Sequence, residues 1–151
     1  MGNYRDLAAW TASQSLAVTT YRLTDRFPPA ERFGLTSQMR RAAVSVMSNI
    51  AEGAGRGTDT QFANFLRIAR GSLYELESQA LLAIQLGFSE GEGLTELLDH
   101  GRKTGRLLHG LLRSIEKSSA VSRRSSVEPG TQHENRRPMT DDLHRQLTTD
   151  D

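Results

Sequence analysis

Cysteine is absent from the sequence, and aromatic residues make up 6% of its 151 positions. Without cysteine there is no disulfide, no thiolate zinc site and no cysteine nucleophile. No apolar run approaches the roughly 20 residues of a membrane span, and the first six residues lack the apolar core of a signal peptide. Neither charge sign dominates, since 19 Lys and Arg oppose 18 Asp and Glu. These absences predict a soluble, cytoplasmic protein with no membrane partner.

The composition changes sharply after Lys117. Hydrophobic residues are 36% of the chain, against about 45–50% in average globular proteins, and few large ones fall in residues 118–151. A segment this polar cannot bury enough apolar surface to offset the entropy lost on ordering. We therefore predict one folded domain at residues 1–117 and a disordered polar tail at 118–151.

Helical periodicity runs through the predicted domain. Amphipathic segments are predicted at about 6–26, 36–53, 60–86 and 94–117. Pro28 and Pro29 end the first segment because proline cannot continue a helix, and Gly87 suits the end of the third. Four such helices joined by short loops predict an all-α, antiparallel up-down four-helix bundle.

The apolar stripe of each segment predicts the side that faces the core. The stripes are Leu7, Trp10, Gln14, Ala17, Val18 and Tyr21 in the first segment; Leu35, Met39, Ala42, Ala43, Val46 and Ile50 in the second; Phe62, Phe65, Ala69, Leu73, Leu76, Ala80 and Ala83 in the third; and Leu94, Leu98, Gly101, Gly105, Leu108, Leu112 and Ile115 in the fourth.

Further apolar residues fall off these stripes. They are Leu16 and Leu23 in the first segment and Ile68, Leu82 and Leu86 in the third. A bundle needs one buried stripe per helix, so this surplus predicts a partner surface and self-association.

Basic residues recur at helical spacing on the fourth segment, away from its apolar stripe. They are Arg102, Arg106, His109, Arg113 and Lys117. Such a row can follow a phosphate backbone and release counterions on binding. It is also typical of a solvated face whose charges offset the helix dipole. Both interpretations stand at this point, and the first is our hypothesis for a nucleic-acid contact.

A polar stripe runs along the edge of the second segment. Its members are Arg41, Ser45, Ser48, Asn49, Glu52 and Arg56, and Glu75 lies on the third segment. We predict a structural network in which Arg41 and Arg56 pair with Glu52 or Glu75. A contact to a ligand or to RNA is the alternative.

Gly71 falls in the middle of a predicted helix, where glycine is unfavourable. A contact too close for a β-carbon explains it, so we predict a helix–helix or subunit interface at Gly71 and Ser72. Gly71→Leu is then expected to disrupt folding or assembly.

No combination of residues predicts catalysis. Glu52 has no second carboxylate at a diagnostic spacing, and Ser72 has no identifiable base. His100 and His109 have no metal-ligand cluster around them. The glycine run 53–57 lacks the phosphate-loop pattern and is predicted to be a helix connector. We therefore expect a protein that is not an enzyme and that needs no metal or cofactor.

Two stretches carry a family resemblance. Residues 33–56 read FGLTSQMRRAAVSVMSNIAEGAGR, and residues 62–80 read FANFLRIARGSLYELESQA. They resemble the four-helix-bundle proteins named for reading frames in 23S rRNA intervening sequences, relatives of the accessory variability proteins of diversity-generating retroelements. The resemblance implies a homopentameric bundle without enzymatic activity. It implies RNA or DNA as a partner, and a reverse transcriptase only where a retroelement is present.

Together these observations predict a non-enzymatic, oligomeric four-helix-bundle protein whose basic surface binds nucleic acid as an accessory factor. The alternative is a structural or protein-binding homo-oligomer with no nucleic-acid role.

Overall fold

The computed structural model describes residues 3–88 and 91–125, and these residues contain helices and no strand. The α-helices are α1 (Ala8–Thr24), α2 (Leu35–Gly55), α3 (Asp59–Gln85) and α4 (Glu92–Ser125), and short 3₁₀ turns cover Tyr4–Asp6 and Pro29–Phe33. The predicted all-α class is confirmed.

Each helix packs against two others in a closed ring. The adjacent pairs are α1 with α2, α2 with α3, α3 with α4 and α4 with α1, while among the described residues no Cα atoms of the diagonal pairs lie within 8 Å of each other. Because the connections are short, consecutive helices run antiparallel. The prediction of an up-down four-helix bundle is confirmed. Among the described residues, none of the helices is both long and apolar enough to cross a membrane.

The connection between α2 and α3 is short and has a local cause. The helix α2 continues to Gly55, so the first three residues of the glycine-rich run that we predicted as a connector are helical. Gly57 then adopts a φ of +82°, a conformation that favours glycine. The Thr58 hydroxyl accepts a hydrogen bond from the Gln61 backbone N–H at 3.3 Å and caps the start of α3.

The buried side of α1 differs from the stripe predicted for it. Leu16 is 0% exposed and Leu23 is 6% exposed, whereas Val18 and Tyr21 are 45% and 44% exposed. The helix is rotated by about a third of a turn from the predicted orientation. Leu16 and Leu23, which we predicted as surplus surface residues, therefore belong to the core, and that prediction is wrong.

Hydroxyl-bearing residues on the core side of α1 explain the difference. Ser13 Oγ donates to the Trp10 carbonyl oxygen at 2.7 Å, and Thr20 Oγ1 donates to the Leu16 carbonyl oxygen at 2.8 Å. A hydroxyl that bonds within its own helix has its hydrogen bond satisfied and can be buried. An interpretation based on hydrophobicity alone places serine and threonine at the surface. The core-facing side that it predicts for α1 is therefore rotated from the real one.

The stripes of the other helices agree better with the structure. All the stripe residues of α2 are buried, and those of α3 are buried apart from Phe65, which is half-buried. The core also includes Leu66, Leu97 and Thr104, which we did not predict. Outside the core, Ile68, Leu82 and Leu86 are each about half exposed. Their predicted position away from the α3 core stripe is confirmed.

The helices α1 and α4 differ twofold in length, with 17 and 34 residues. Near the end of α1, the Leu23 side chain lies 3.2 Å from the position that a Cβ on Gly93 would take, at the start of α4. The two antiparallel helices therefore meet at this end of the bundle. The second half of α4 consequently extends past the first residue of α1.

The helix α4 ends at Ser125, eight residues beyond Lys117, where we predicted the domain to end. Most of the described side chains of the added turns are exposed, and Ser125 Oγ donates to the Val121 carbonyl oxygen at 3.0 Å. A helix can continue in this way without an apolar stripe, so the change in composition precedes the end of the helix. The rest of the predicted tail, residues 126–151, lies outside the described residues.

Candidate nucleic-acid interface

The basic row predicted on the fourth segment lies on the outer face of α4. All five side chains are exposed, and the row spans about 22 Å at 1.5 Å per residue. Its centre lies about 150° around the helix from the buried residues Leu97, Leu108 and Ile115. The structure thus brings together Arg102, Arg106, His109, Arg113 and Lys117. That they bind nucleic acid stays a prediction.

Carboxylates offset the charge of Arg102 at the start of the row. Arg102 forms an ion pair with Asp99 on the preceding turn of α4. Glu77 on α3 is also close: burial raises the pKa of this carboxyl above its ordinary value, and the Arg102 charge partly opposes the rise. Gly101 leaves room for Glu77, since a Cβ there would lie 3.1 Å from Glu77 Oε1. Arg102 is therefore the cation of the row least available to a phosphate.

The other cations of the row are not neutralised by a carboxylate in the part of the chain that the structure describes. Within the described residues, Arg106, Arg113 and Lys117 have no hydrogen bond or ion pair. Glu116 lies beside this end, but Arg67 Nη2 on α3 holds its Oε1 at 2.6 Å. Within the row, the uncompensated positive charge therefore lies on Arg106, Arg113 and Lys117.

The polar stripe of α2 forms part of the predicted network with α3. Ser45 Oγ and Ser72 Oγ are 2.8 Å apart and join the two helices. Asn49 Nδ2 donates to the Ser45 carbonyl oxygen at 2.8 Å and to Ser45 Oγ at 3.0 Å. These half-buried groups satisfy one another, which fits a structural role.

The arginines of this stripe differ from each other. Arg56 forms an ion pair with Glu52, as predicted, and its guanidinium lies 4.9 Å from the Phe65 ring centroid. Arg41 is exposed and forms no ion pair within the described residues, so the pairing predicted for Arg41 is wrong. Glu75 instead accepts a hydrogen bond from the Gln79 side chain at 3.1 Å. Arg41 points away from the network because it lies nearer the outer face of α2.

Gly71 has no close neighbour inside the chain. It is exposed, and a Cβ added there would meet no atom within 4 Å. The predicted helix–helix contact at Gly71 is therefore wrong within the chain, and with it the expected folding defect of Gly71→Leu. The alternative of a subunit interface stays a prediction.

The close approach of helices occurs at Gly53 instead. A Cβ on Gly53 would lie 2.6 Å from Phe65 Cβ and 2.9 Å from Phe62 Cδ2. Gly53 is buried between α2 and α3. The sequence shows glycine at both positions, and the tertiary packing decides which one is sterically required.

The His, Asp and Glu side chains of the described residues do not form a metal site. In residues 3–88 and 91–125, no group of three His, Asp or Glu side chains is placed to hold a metal ion. His100 Nε2 lies 3.7 Å from Oε1 of Glu96, which is one turn earlier on α4.

One basic cluster has no signal in the sequence. At the edge between α1 and α2 the structure gathers Arg32, Arg40 and Arg41 around Tyr21 and Phe33. These residues come from α1, the 3₁₀ turn and α2, so no fixed spacing marks them. The prominent exposure of Phe33 is visible only in the folded chain.

The comparison with known families gives one finding. A family model described as 23S rRNA-intervening sequence protein matches residues 5–110. The match includes Arg102, Arg106 and His109 and stops before Arg113 and Lys117. No curated protein matches the chain.

Proposed function

The chain belongs to the family of 23S rRNA-intervening sequence proteins, and on this premise we propose that it is a non-enzymatic accessory factor that binds structured RNA through the outer face of α4. The observation that carries the proposal is the charge of Arg106, Arg113 and Lys117. No carboxylate of the described residues pairs with them, whereas the neighbouring Arg102 and Arg67 are paired.

The spacing of this row suits a phosphate backbone. Successive members are three or four residues apart, and the unpaired cations Arg106, Arg113 and Lys117 are separated by about 10.5 Å and about 6 Å along the helix, at 1.5 Å per residue. Each phosphate that such a cation neutralises releases a counterion and contributes to salt-dependent affinity. In a homo-oligomer the row would repeat on every subunit, and several weak contacts would act together.

We expect the triple variant Arg106→Glu, Arg113→Glu, Lys117→Glu to bind a fluorescein-labelled RNA hairpin at least about tenfold more weakly at low salt. Because three phosphate contacts are lost, the slope of log affinity against log salt should become shallower by about 2–3. Fluorescence anisotropy of the full chain between about 50 and 200 mM salt measures both the affinity and the slope. A DNA hairpin of the same sequence tests whether the ribose matters.

A matched control distinguishes the effect of losing the α4 row from the effect of changing the net charge. Arg5→Glu, Arg22→Glu, Arg26→Glu makes the same change in charge at exposed positions near and on α1. This control should bind close to the parent level. If both triple variants lose equal affinity, or if neither does, the α4 interface is refuted.

The second candidate function is self-assembly without a nucleic-acid role, and the outer face of α3 favours it. Ile68, Leu82 and Leu86 are each about half exposed there. At 100° per residue, Gly71 lies within about 60° of all three. An exposed mid-helix glycine costs about 1 kcal/mol relative to alanine, and a second copy packed against this stripe would account for it.

We expect the parent chain to be a homo-oligomer at micromolar concentration and Ile68→Glu, Leu82→Glu to be a folded monomer. Burying two glutamates in an apolar interface is costly, whereas both sites tolerate charge in the free chain. Light scattering coupled to gel filtration gives the mass, and circular dichroism checks the fold. The control Tyr74→Glu, Leu81→Glu changes exposed residues on the adjoining face of α3 and should keep the parent mass. A monomeric parent would rule out the assembly.

A further inference from the structure

A groove at the edge between α1 and α2 combines aromatic and basic side chains. Its volume is about 520 Å³, and its lining includes Tyr21, Arg32, Phe33, Arg40, Arg41 and Val44. It is formed by the last turns of α1, the 3₁₀ turn Pro29–Phe33 and the first turns of α2. Since α2 lies diagonally across the bundle from α4, with no described Cα atoms of the two helices within 8 Å, the groove is separate from the α4 row.

Two aromatic rings line this groove, each with a guanidinium over it. Phe33 is 87% exposed, more than any other large hydrophobic residue that the structure describes. The Arg32 guanidinium carbon lies 5.4 Å from the Phe33 ring centroid, and that of Arg40 lies 4.7 Å from the Tyr21 centroid. A phenyl ring held this far out of the core offers a flat apolar surface to a partner ring.

The arginines of the groove divide into one fixed and two uncompensated cations. Arg40 Nε donates to Thr24 Oγ1 at 2.8 Å, and Arg40 Nη2 contacts Asp25 Oδ1 at 2.6 Å. These bonds orient Arg40 and neutralise it. Arg32 and Arg41 form no ion pair within residues 3–88 and 91–125. The groove therefore carries a positive charge beside its aromatic rings.

We infer that this groove binds an unpaired nucleotide of single-stranded RNA, with the base stacked on Phe33 and the phosphates on Arg32 and Arg41. Aromatic side chains next to uncompensated cations are the combination that single-strand sites use. A base inside a duplex is stacked on its neighbours and cannot reach a protein ring, so the occupant must be unpaired. The cavity volume falls within the range of small-ligand sites and suits one nucleotide.

This inference adds a second contact to the proposed function and rests on it for the choice of nucleic acid. The α4 row would hold the phosphates of a structured region, while the groove would hold an unpaired base. Changes in the α4 row and in the groove should weaken the binding of different RNA probes. Either proposal can therefore be refuted while the other stands.

The test uses the full chain and a decamer of uridines that carries one central 2-aminopurine. We expect Phe33→Ala to weaken binding of this strand by roughly 5- to 150-fold, the range that corresponds to losing one stacked base. It should also abolish the change in 2-aminopurine fluorescence on binding. Phe33→Trp should retain both signals, because an indole also stacks. The control Tyr74→Ala removes an exposed aromatic ring on α3 and should change neither.

The remaining outcomes separate the possible failures. Phe33 is largely exposed, so Phe33→Ala should keep the parent melting temperature. Its affinity for a blunt-ended RNA duplex should be unchanged, because a duplex has no unpaired base to enter the groove. If the parent binds the decamer but not the hairpin, the α4 proposal fails and the groove stands. The inference is overturned if the parent does not bind the decamer, or if Phe33→Ala binds it as the parent does. It is also overturned if Phe33→Ala changes the mass of the assembly without changing decamer affinity, because the groove then holds a second copy.

Discussion

Leu16→Ala should lower the free energy of unfolding by about 2–5 kcal/mol. The Leu16 side chain has no exposed surface and lies in the core cluster that the four helices share. Its truncation removes buried apolar contacts and leaves a cavity that the neighbouring side chains can fill only in part. Urea denaturation followed by circular dichroism at 222 nm measures the change, provided that the transition remains two-state.

The matched control is Val18→Ala, two residues further along α1. Val18 is about half exposed although the hydrophobic pattern assigns it to the core. We expect a change within about 0.5 kcal/mol, as for other surface substitutions. A larger loss for Val18→Ala than for Leu16→Ala would show that α1 is oriented as its hydrophobic stripe predicts, and Leu16 would then not be a core residue.

Gly53→Ala should destabilise the protein even though alanine is the better helix former. The new Cβ would lie 2.6 Å from Phe65 Cβ, an atom that cannot move without its helix. Overpacking of this kind costs about 1–3 kcal/mol, which is more than the gain of at most about 1 kcal/mol in helix propensity. The thermal midpoint of the full chain, measured by circular dichroism, should fall.

The control for this change is Gly110→Ala in α4. Gly110 is exposed, and an added Cβ would meet no atom within 4 Å. Only the gain in helix propensity remains, so the midpoint should rise. Opposite signs for the two glycines would support the close packing of α2 against α3. An equal rise in both would contradict it.

The fold could be predicted from periodicity because α2, α3 and α4 bury mostly apolar side chains at helical spacing. The orientation of α1 could not, since Ser13 and Thr20 satisfy their hydroxyls within the helix and so fill core positions. The sequence predicts the close helix contact at Gly71, whereas the structure has it at Gly53. Both glycines interrupt a helical pattern in the sequence. They differ in their tertiary surroundings, because Phe65 packs against Gly53 and no described residue packs against Gly71.

The candidate site was predictable to the same degree. The spacing of the basic residues on α4 places them on one face without any tertiary information. Asp99 and Arg102 are three residues apart on one helix, so their pairing could also be read from the spacing. The proximity of Glu77 to Arg102 and the pairing of Arg67 with Glu116 join α3 to α4 and depend on the fold. The groove around Phe33 joins three separate segments, so its components have no common pattern in the sequence.

The unequal lengths of α1 and α4 affect how a ligand could reach the basic face. The helix α4 is about 51 Å long and α1 about 26 Å, at 1.5 Å per residue. Both helices meet at the end where Leu23 adjoins Gly93, so roughly the last 25 Å of α4 has no α1 beside it. Arg113 and Lys117 lie on this projecting segment. A polyanion can therefore approach them from the flank that α1 leaves open as well as from directly outside.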